Sequence, residues 1–203
     1  MNNPLVSVII PNYCHAQYLD QRIQSVLNQT YQNFEVIILD DCSPDDGASK
    51  AVIEKYRDNT HVSQIVYNEV NSGSTFKQWK KGFQLSKGEL VWIAESDDKC
   101  EPDLLEKLVG GFQKYDNVVV SYCSSKIIDG EGKDKKVPLV GNVSKEFYNG
   151  KQFISQEMSW CNSIPNASAV VFRKEAALQI DKQYMNYVAA GDRLFWIELC
   201  EHG

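Results

Sequence analysis

The chain of 203 residues has no uninterrupted apolar run near the roughly 18 residues of a membrane-spanning helix. Its N-terminus, Met-Asn-Asn-Pro ahead of a short apolar run, has neither the basic start nor the small-residue cleavage site of a secretion signal, so that run reads as a strand. No C-x-x-C pair occurs. Cys14, Cys42, Cys100, Cys123, Cys161 and Cys200 are scattered, which disfavours a zinc site or a disulfide framework and points to reduced cytosolic thiols. The sequons at Asn28, Asn142 and Asn166 are then chance matches. An excess of basic charge is missing too: the net charge is -6, opposite to the basic patch of a nucleic-acid binder. A nucleotide stays open, because a bound cation can supply the charge a diphosphate needs. No G-x-G-x-x-G follows the first apolar run, and no Walker A sequence occurs, which argues against a dinucleotide dehydrogenase or a P-loop NTPase. His15, His61 and His202 have no metal-ligand spacing, and His15 reads as a surface residue.

What is present is an ordinary globular composition, 43% hydrophobic and 24% charged. Short Val- and Ile-rich runs recur at residues 6–10, 34–39, 65–67, 90–94 and 118–122 without clean alternation, the pattern of strands buried on both faces. They start about 30 residues apart, the length of one βαβ unit. Leu19, Ile23, Val26 and Leu27 share one helical face, as do Leu104, Leu105, Leu108, Val109 and Phe112, with Pro102 suited to that helix's first turn. The expected architecture is α/β, an open and mostly parallel central sheet flanked by helices. Residues 124–150 are polar and turn-rich. A strand is expected again at 169–172 and a last helix near Asp192. A single domain is expected, residues 1–123 binding the nucleotide and 124–203 forming the acceptor side, with further structure beyond Gly203.

Ligands of an open α/β sheet bind beyond the carboxyl ends of its strands. There the runs end in Pro11-Asn12-Tyr13, in Asp40-Asp41-Cys42-Ser43 and in Glu95-Ser96-Asp97-Asp98. Paired carboxylates repel and need compensation. A hard divalent cation bridging them to a substrate phosphate provides it, so one acidic cluster could hold a metal while another reads the base or ribose. Asp45 and Asp46 are expected to cap a helix instead. Trp196 is expected in the core. Trp160, in an irregular segment, is a candidate acceptor contact. Lys133, Lys135 and Lys136 read as a solvated loop.

These stretches, with 25–31 (Ser-Val-Leu-Asn-Gln-Thr-Tyr), Asn71-Ser72-Gly73, 88–98 and 191–196, resemble in order and spacing the family 2 glycosyltransferases. The resemblance implies a GT-A fold, a nucleotide-diphosphate sugar donor (most often a UDP-sugar), a divalent cation (Mn2+ or Mg2+) and inversion at the anomeric carbon. It further implies a carbohydrate or lipid-linked acceptor and a cytoplasmic setting, with peripheral association at the inner membrane face. Residue by residue, Pro11, Asn12 and Tyr13 would line the base pocket, Asp41 would accept from the base, Asp97 would sit by ribose and diphosphate, Asp98 would ligate the metal and Asp192 would be the catalytic base. Lys77, Lys80 and Lys81 lie where the family often has a basic residue, with spacing one residue longer. Glu95 stands where the family often has Asp, and Gly191 where it often has Glu. A sugar nucleotidyltransferase and a non-catalytic nucleotide-sugar-binding module are the alternatives. The first usually announces a Gly-rich basic loop after the first strand, which 11–13 is not.

Overall fold

A computed structural model describes residues 3–138, 145–187 and 190–203. Strands β1 (Val6–Asn12), β2 (Phe34–Asp40), β3 (Val62–Tyr67) and β4 (Leu90–Ile93) alternate with helices α1 (Ala16–Leu27), α2 (Ala48–Glu54) and α3 (Thr75–Leu85). Helix α4 (Leu104–Lys114) leads to β5 (Val120–Tyr122). After the polar stretch come α5 (Gly150–Phe153), a π-turn (Ile154–Met158), a short 3-10 turn (Ala167–Ala169), β6 (Val170–Arg173), α6 (Lys174–Gln179), a second 3-10 turn (Lys182–Asn186) and α7 (Gly191–Cys200). The sequon at Asn142 lies outside the described residues.

The six strands form one sheet in the order β3-β2-β1-β4-β6-β5. The first four are parallel, while β6 runs antiparallel to both β4 and β5. Every residue of β1, β2 and β4 is buried, as their continuous apolar runs predict, whereas β3 and β5 at the edges are half-buried. Alternate strand residues feed two cores. Val8, Ile38 and Trp92 pack with Leu19 and Ile23 of α1 and with Leu105 and Leu108 of α4. Ile9, Ile37 and Ile93 pack with Phe76, Trp79 and Phe83 of α3 and with Phe195, Trp196 and Leu199 of α7. Trp196 is fully buried there, as expected. Helix α3 lies so close to β1 that a Cβ on Gly82 would meet Ile9 at 2.6 Å, which fixes glycine at that position.

Pro102 is not in the first turn of α4. The helix starts at Leu104, and the Pro102 carbonyl accepts instead from the Thr30 N–H at 2.8 Å, linking the end of α1 to the start of α4. Neither Asp45 nor Asp46 is the N-cap of α2, which is Gly47; Asp45 stands two residues earlier, and its Oδ2 accepts from the Ser49 N–H in the helix's first turn at 3.0 Å.

The chain runs outward from β1 through β2 to β3, then returns to place β4 on the other side of β1. This reversal opens a crevice beyond the carboxyl ends of β1 and β4, the favoured ligand position in such a sheet. The tails of those strands are 11–13 and 95–98.

Candidate active site

A cleft of about 870 Å³ occupies that crevice. Pro11, Asn12, Tyr13 and His15 line it from β1, Asp41 from β2, residues 95–98 from β4, and Gly73 to Gln78 from the start of α3. Asn166 and the segment Met185, Asn186 and Tyr187 close it. Asp41, Asp97 and Asp98, expected at separate strand ends, share this cleft. Tyr13 is 45% exposed and presents a ring at its mouth. Of the three lysines, Lys77 lines the cleft and donates to the Ser72 carbonyl at 2.8 Å. Lys81 bonds Asn68 instead, and Lys80 lies beside Lys182. His15 is not a plain surface residue: it lines the cleft, its Nδ1 2.8 Å from Ser96 Oγ.

The two aspartates ending β2 are both engaged in structure. Asp40 accepts from Asn12 Nδ2 at 2.7 Å and from the Ser43 N–H and hydroxyl, tying β1 to β2. Asp41 is buried and accepts five hydrogen bonds. Its Oδ1 takes Asn68 Nδ2, the Ser72 N–H and Gln78 Nε2 at 2.6 to 2.9 Å. Its Oδ2 takes Ser72 Oγ at 2.7 Å and Asn71 Nδ2 at 3.3 Å. Two carboxylate oxygens offer about four lone-pair sites, so this acceptor is full. None of its partners was singled out from the sequence as holding it, although Asn71 and Ser72 belong to the motif quoted above.

Asp97 is exposed and Asp98 half-buried at the end of β4. Asn166 Nδ2 donates to Asp98 Oδ2 at 2.9 Å, which orients that carboxylate. Asn166 entered the sequence reading only as a sequon. Glu95 bonds the indole N–H of buried Trp79 at 2.8 Å. The longer Glu side chain thus reaches into the α3 core. Burial, helped by Asp97 and Asp98, pushes its carboxyl up to about 7 against the Trp79 bond. Among the described residues no group of three or more His, Cys, Asp or Glu could cage a metal ion. The hard oxygens of Asp97 and Asp98 suit a cation completed by diphosphate oxygens and water.

Beneath this loop lies Arg22 of α1, fully buried, its guanidinium 5.1 Å from the Trp92 ring centroid. None of its three nitrogens has a hydrogen-bond partner among the described residues. Burial lowers its pKa, and the Cys100 thiol and the carboxyl groups of Asp98, Glu95 and Asp97 oppose that shift. A buried, unbonded cation is costly, and replacing buried charge by an apolar side chain of similar size is often stabilising by about 1–4 kcal/mol. Arg22→Met is therefore expected to raise the unfolding free energy in a urea titration. A fall instead would mean that the charge holds the 95–100 loop in place.

Asp192 is not among the residues lining the cleft. It stands beside it, in the first turn of α7, and Asn162 Nδ2 donates to its Oδ2 at 2.8 Å. Gly191 explains why no second carboxylate precedes it. A Cβ there would meet the Tyr184 carbonyl at 2.4 Å and the Phe76 ring at 2.6 Å. Phe76 lines the cleft, so this close approach sets the start of α7 against the cleft wall.

The family model for Glycosyl transferase family 2 matches residues 7–178. The chain belongs to this family. TuaG of Bacillus subtilis (strain 168), whose name places it in teichuronic acid biosynthesis, is 28% identical over 200 residues, covering 98% of this chain and 73% of TuaG. The fold is GT-A. A crystal structure of S. aureus TarS superposes with a TM-score of 0.74 at 23% identity over 97% of this chain, and TarS with UDP-GlcNAc gives 0.72. The mannosyltransferase PcManGT of Pyrobaculum calidifontis, with GDP-Man and Mn2+, gives 0.62 at 17% identity over 88% of this chain. The chain spans 55% of that TarS chain and 47% of PcManGT. Among the described residues of this family member, no helix is long and apolar enough to cross a membrane.

Proposed function

We propose that this family 2 domain transfers a sugar from a nucleoside diphosphate, UDP foremost, to an acceptor hydroxyl with inversion. The observation that carries the reading is the gathering of Tyr13, Asp41, Lys77, Asp97 and Asp98 in one cleft at the sheet's switch point, with Asp192 one residue past Gly191, which packs against the cleft residue Phe76. Pro11, Asn12 and Tyr13 form the base side, with Tyr13 against the nucleobase. Asp41 acts mainly by holding the 68–78 wall of the base pocket, since its lone pairs are already engaged. Lys77 and Asp97 face the diphosphate and ribose. Residues 1–123 supply the donor side and 124–203 the acceptor side. TarS with UDP-GlcNAc supports a uridine donor by analogy of fold.

Asp98, oriented by Asn166, is the residue that would hold a divalent cation, Mn2+ or Mg2+, together with donor phosphate oxygens. When bound, such a cation neutralises charge developing on the leaving diphosphate. The protein's own chemistry is proton removal and alignment. Asp192 takes the proton of the acceptor hydroxyl as its oxygen bonds to the anomeric carbon. The bond from that carbon to the diphosphate breaks on the opposite face, and the nucleoside diphosphate leaves with the electron pair. A single carboxylate is enough, because this leaving group needs no proton. Holding both partners in line supplies much of the rate. The teichuronic acid biosynthesis in TuaG's name supports a setting in polysaccharide assembly.

A thermal-shift panel tests the donor. UDP and UDP-sugars with Mn2+ are expected to raise Tm more than ADP, CDP or GDP, a ligand at 100 times its Kd stabilising the fold by about 2.7 kcal/mol over the ligand-free protein. EDTA and Asp98→Asn should each remove the metal-dependent part. Equal shifts for all bases would refute the uridine assignment, and a shift indifferent to metal would refute the role of Asp98.

A further inference from the structure

Four tryptophans occur, and they are not alike. Trp79, Trp92 and Trp196 are at most 2% exposed, whereas Trp160 is 91% exposed. Leaving an indole in water forgoes one of the largest burial gains any side chain offers. The residues on either side of Trp160 are nevertheless hydrogen-bonded in place. Before it, the Met158 and Ser159 carbonyls accept from Arg193 NH2 at 2.6 and 3.0 Å. Ser159 Oγ turns back onto the Ser155 carbonyl at 2.8 Å. After it, Asn162 bonds Asp192, and Ser163 Oγ bonds the Glu157 carbonyl at 2.7 Å. The residues flanking Trp160 are thus tied to Asp192 and Arg193, on the same turn as the base. The ring is exposed because its loop is pinned, not because the loop is loose.

We infer that Trp160 is a stacking platform for a pyranose ring of the acceptor, so that the acceptor is a glycan and not a bare lipid phosphate. This deepens the transferase reading and rests on it. The chemistry of the surroundings selects the partner. The ring's chain neighbours are Ser159, Cys161 and Asn162, polar or small. A lipid or an apolar protein surface needs a contiguous apolar patch of hundreds of Å². A pyranose needs less: its axial C–H face covers one indole while its hydroxyls meet the polar rim. Through Asn162, two residues on, the loop that carries Trp160 is hydrogen-bonded to Asp192, the proposed base.

The uneven exposure of the four indoles supplies the assay, since acrylamide quenching of fluorescence reports chiefly on Trp160. The probes are gluco-, galacto-, manno- and N-acetylglucosamine tetrasaccharides, added to the protein with UDP and Mn2+. At least one is expected to protect the emission from quenching at millimolar concentration. Trp160→Ala should abolish that protection and raise the KM for that oligosaccharide about tenfold. Its kcat should stay within about twofold, with unchanged UDP-induced Tm shift and acceptor-independent donor hydrolysis. Trp160→Tyr should restore most of the affinity. Protection by none of the four, or a Trp160→Ala variant with unchanged KM, overturns the platform while UDP binding leaves the transferase reading standing. Absence of any UDP-induced shift in the parent protein overturns that reading as well.

Discussion

Asp192→Asn is expected to lower sugar transfer by about 10²–10⁴-fold, the usual contribution of a positioned general base. The same variant should keep its UDP-induced Tm shift, because Asp192 does not line the cleft where the nucleotide is placed. It should also fold normally. Asn has the shape of Asp, and its amide oxygen can still accept from Asn162 Nδ2, the one bond described for this carboxylate. What Asn cannot do is take a proton. The measurement is initial-rate transfer beside UDP binding on the same preparation. Retained turnover would place the base elsewhere. A parent protein that binds UDP and turns nothing over would support the binding-module alternative.

Asp41→Asn should behave in the opposite way, with its largest effect on stability. Five donors converge on this carboxylate, from Asn68, Asn71, Ser72 and Gln78. Asn would replace one oxygen by an NH2 group facing donors. It would also remove the charge that strengthens the bonds that remain. Leaving buried donors of such a network unsatisfied costs about 1–3 kcal/mol. Urea unfolding should show a loss of that order, with weakened UDP binding as the 68–78 wall loosens. A loss under about 1 kcal/mol would mean that the network contributes little. Asp97→Asn is the control. Its exposed carboxylate should change stability by less than about 0.5 kcal/mol.

The contrast between Asp41 and Asp97 separates what could be read from the chain alone from what could not. Both stand just after a buried strand, and local pattern gives them the same description. They differ in what arrives from elsewhere. The partners of Asp41 lie 27 to 37 residues away, and Asn166, which orients Asp98, lies 68 residues away. Glu95 meets Trp79 because α3 packs across that face of the sheet. Arg22 falls three residues after Leu19, on the buried face of α1, but arginine as a residue type reads as surface, so the pattern by itself does not announce a buried cation.

The strand-and-helix order, the burial of β1, β2 and β4, and the acidic ends of β2 and β4 follow from composition and spacing. Apolar runs of strand length must be covered on both faces, and right-handed crossovers then put their carboxyl ends on one edge. Tertiary structure alone decided the insertion of antiparallel β6 between β4 and β5, which carboxylates are spent on structure, and the tying of the loop around Trp160 to Asp192 and Arg193. Those outcomes depend on hydrogen bonds and packing between segments distant in the chain, where no local propensity acts.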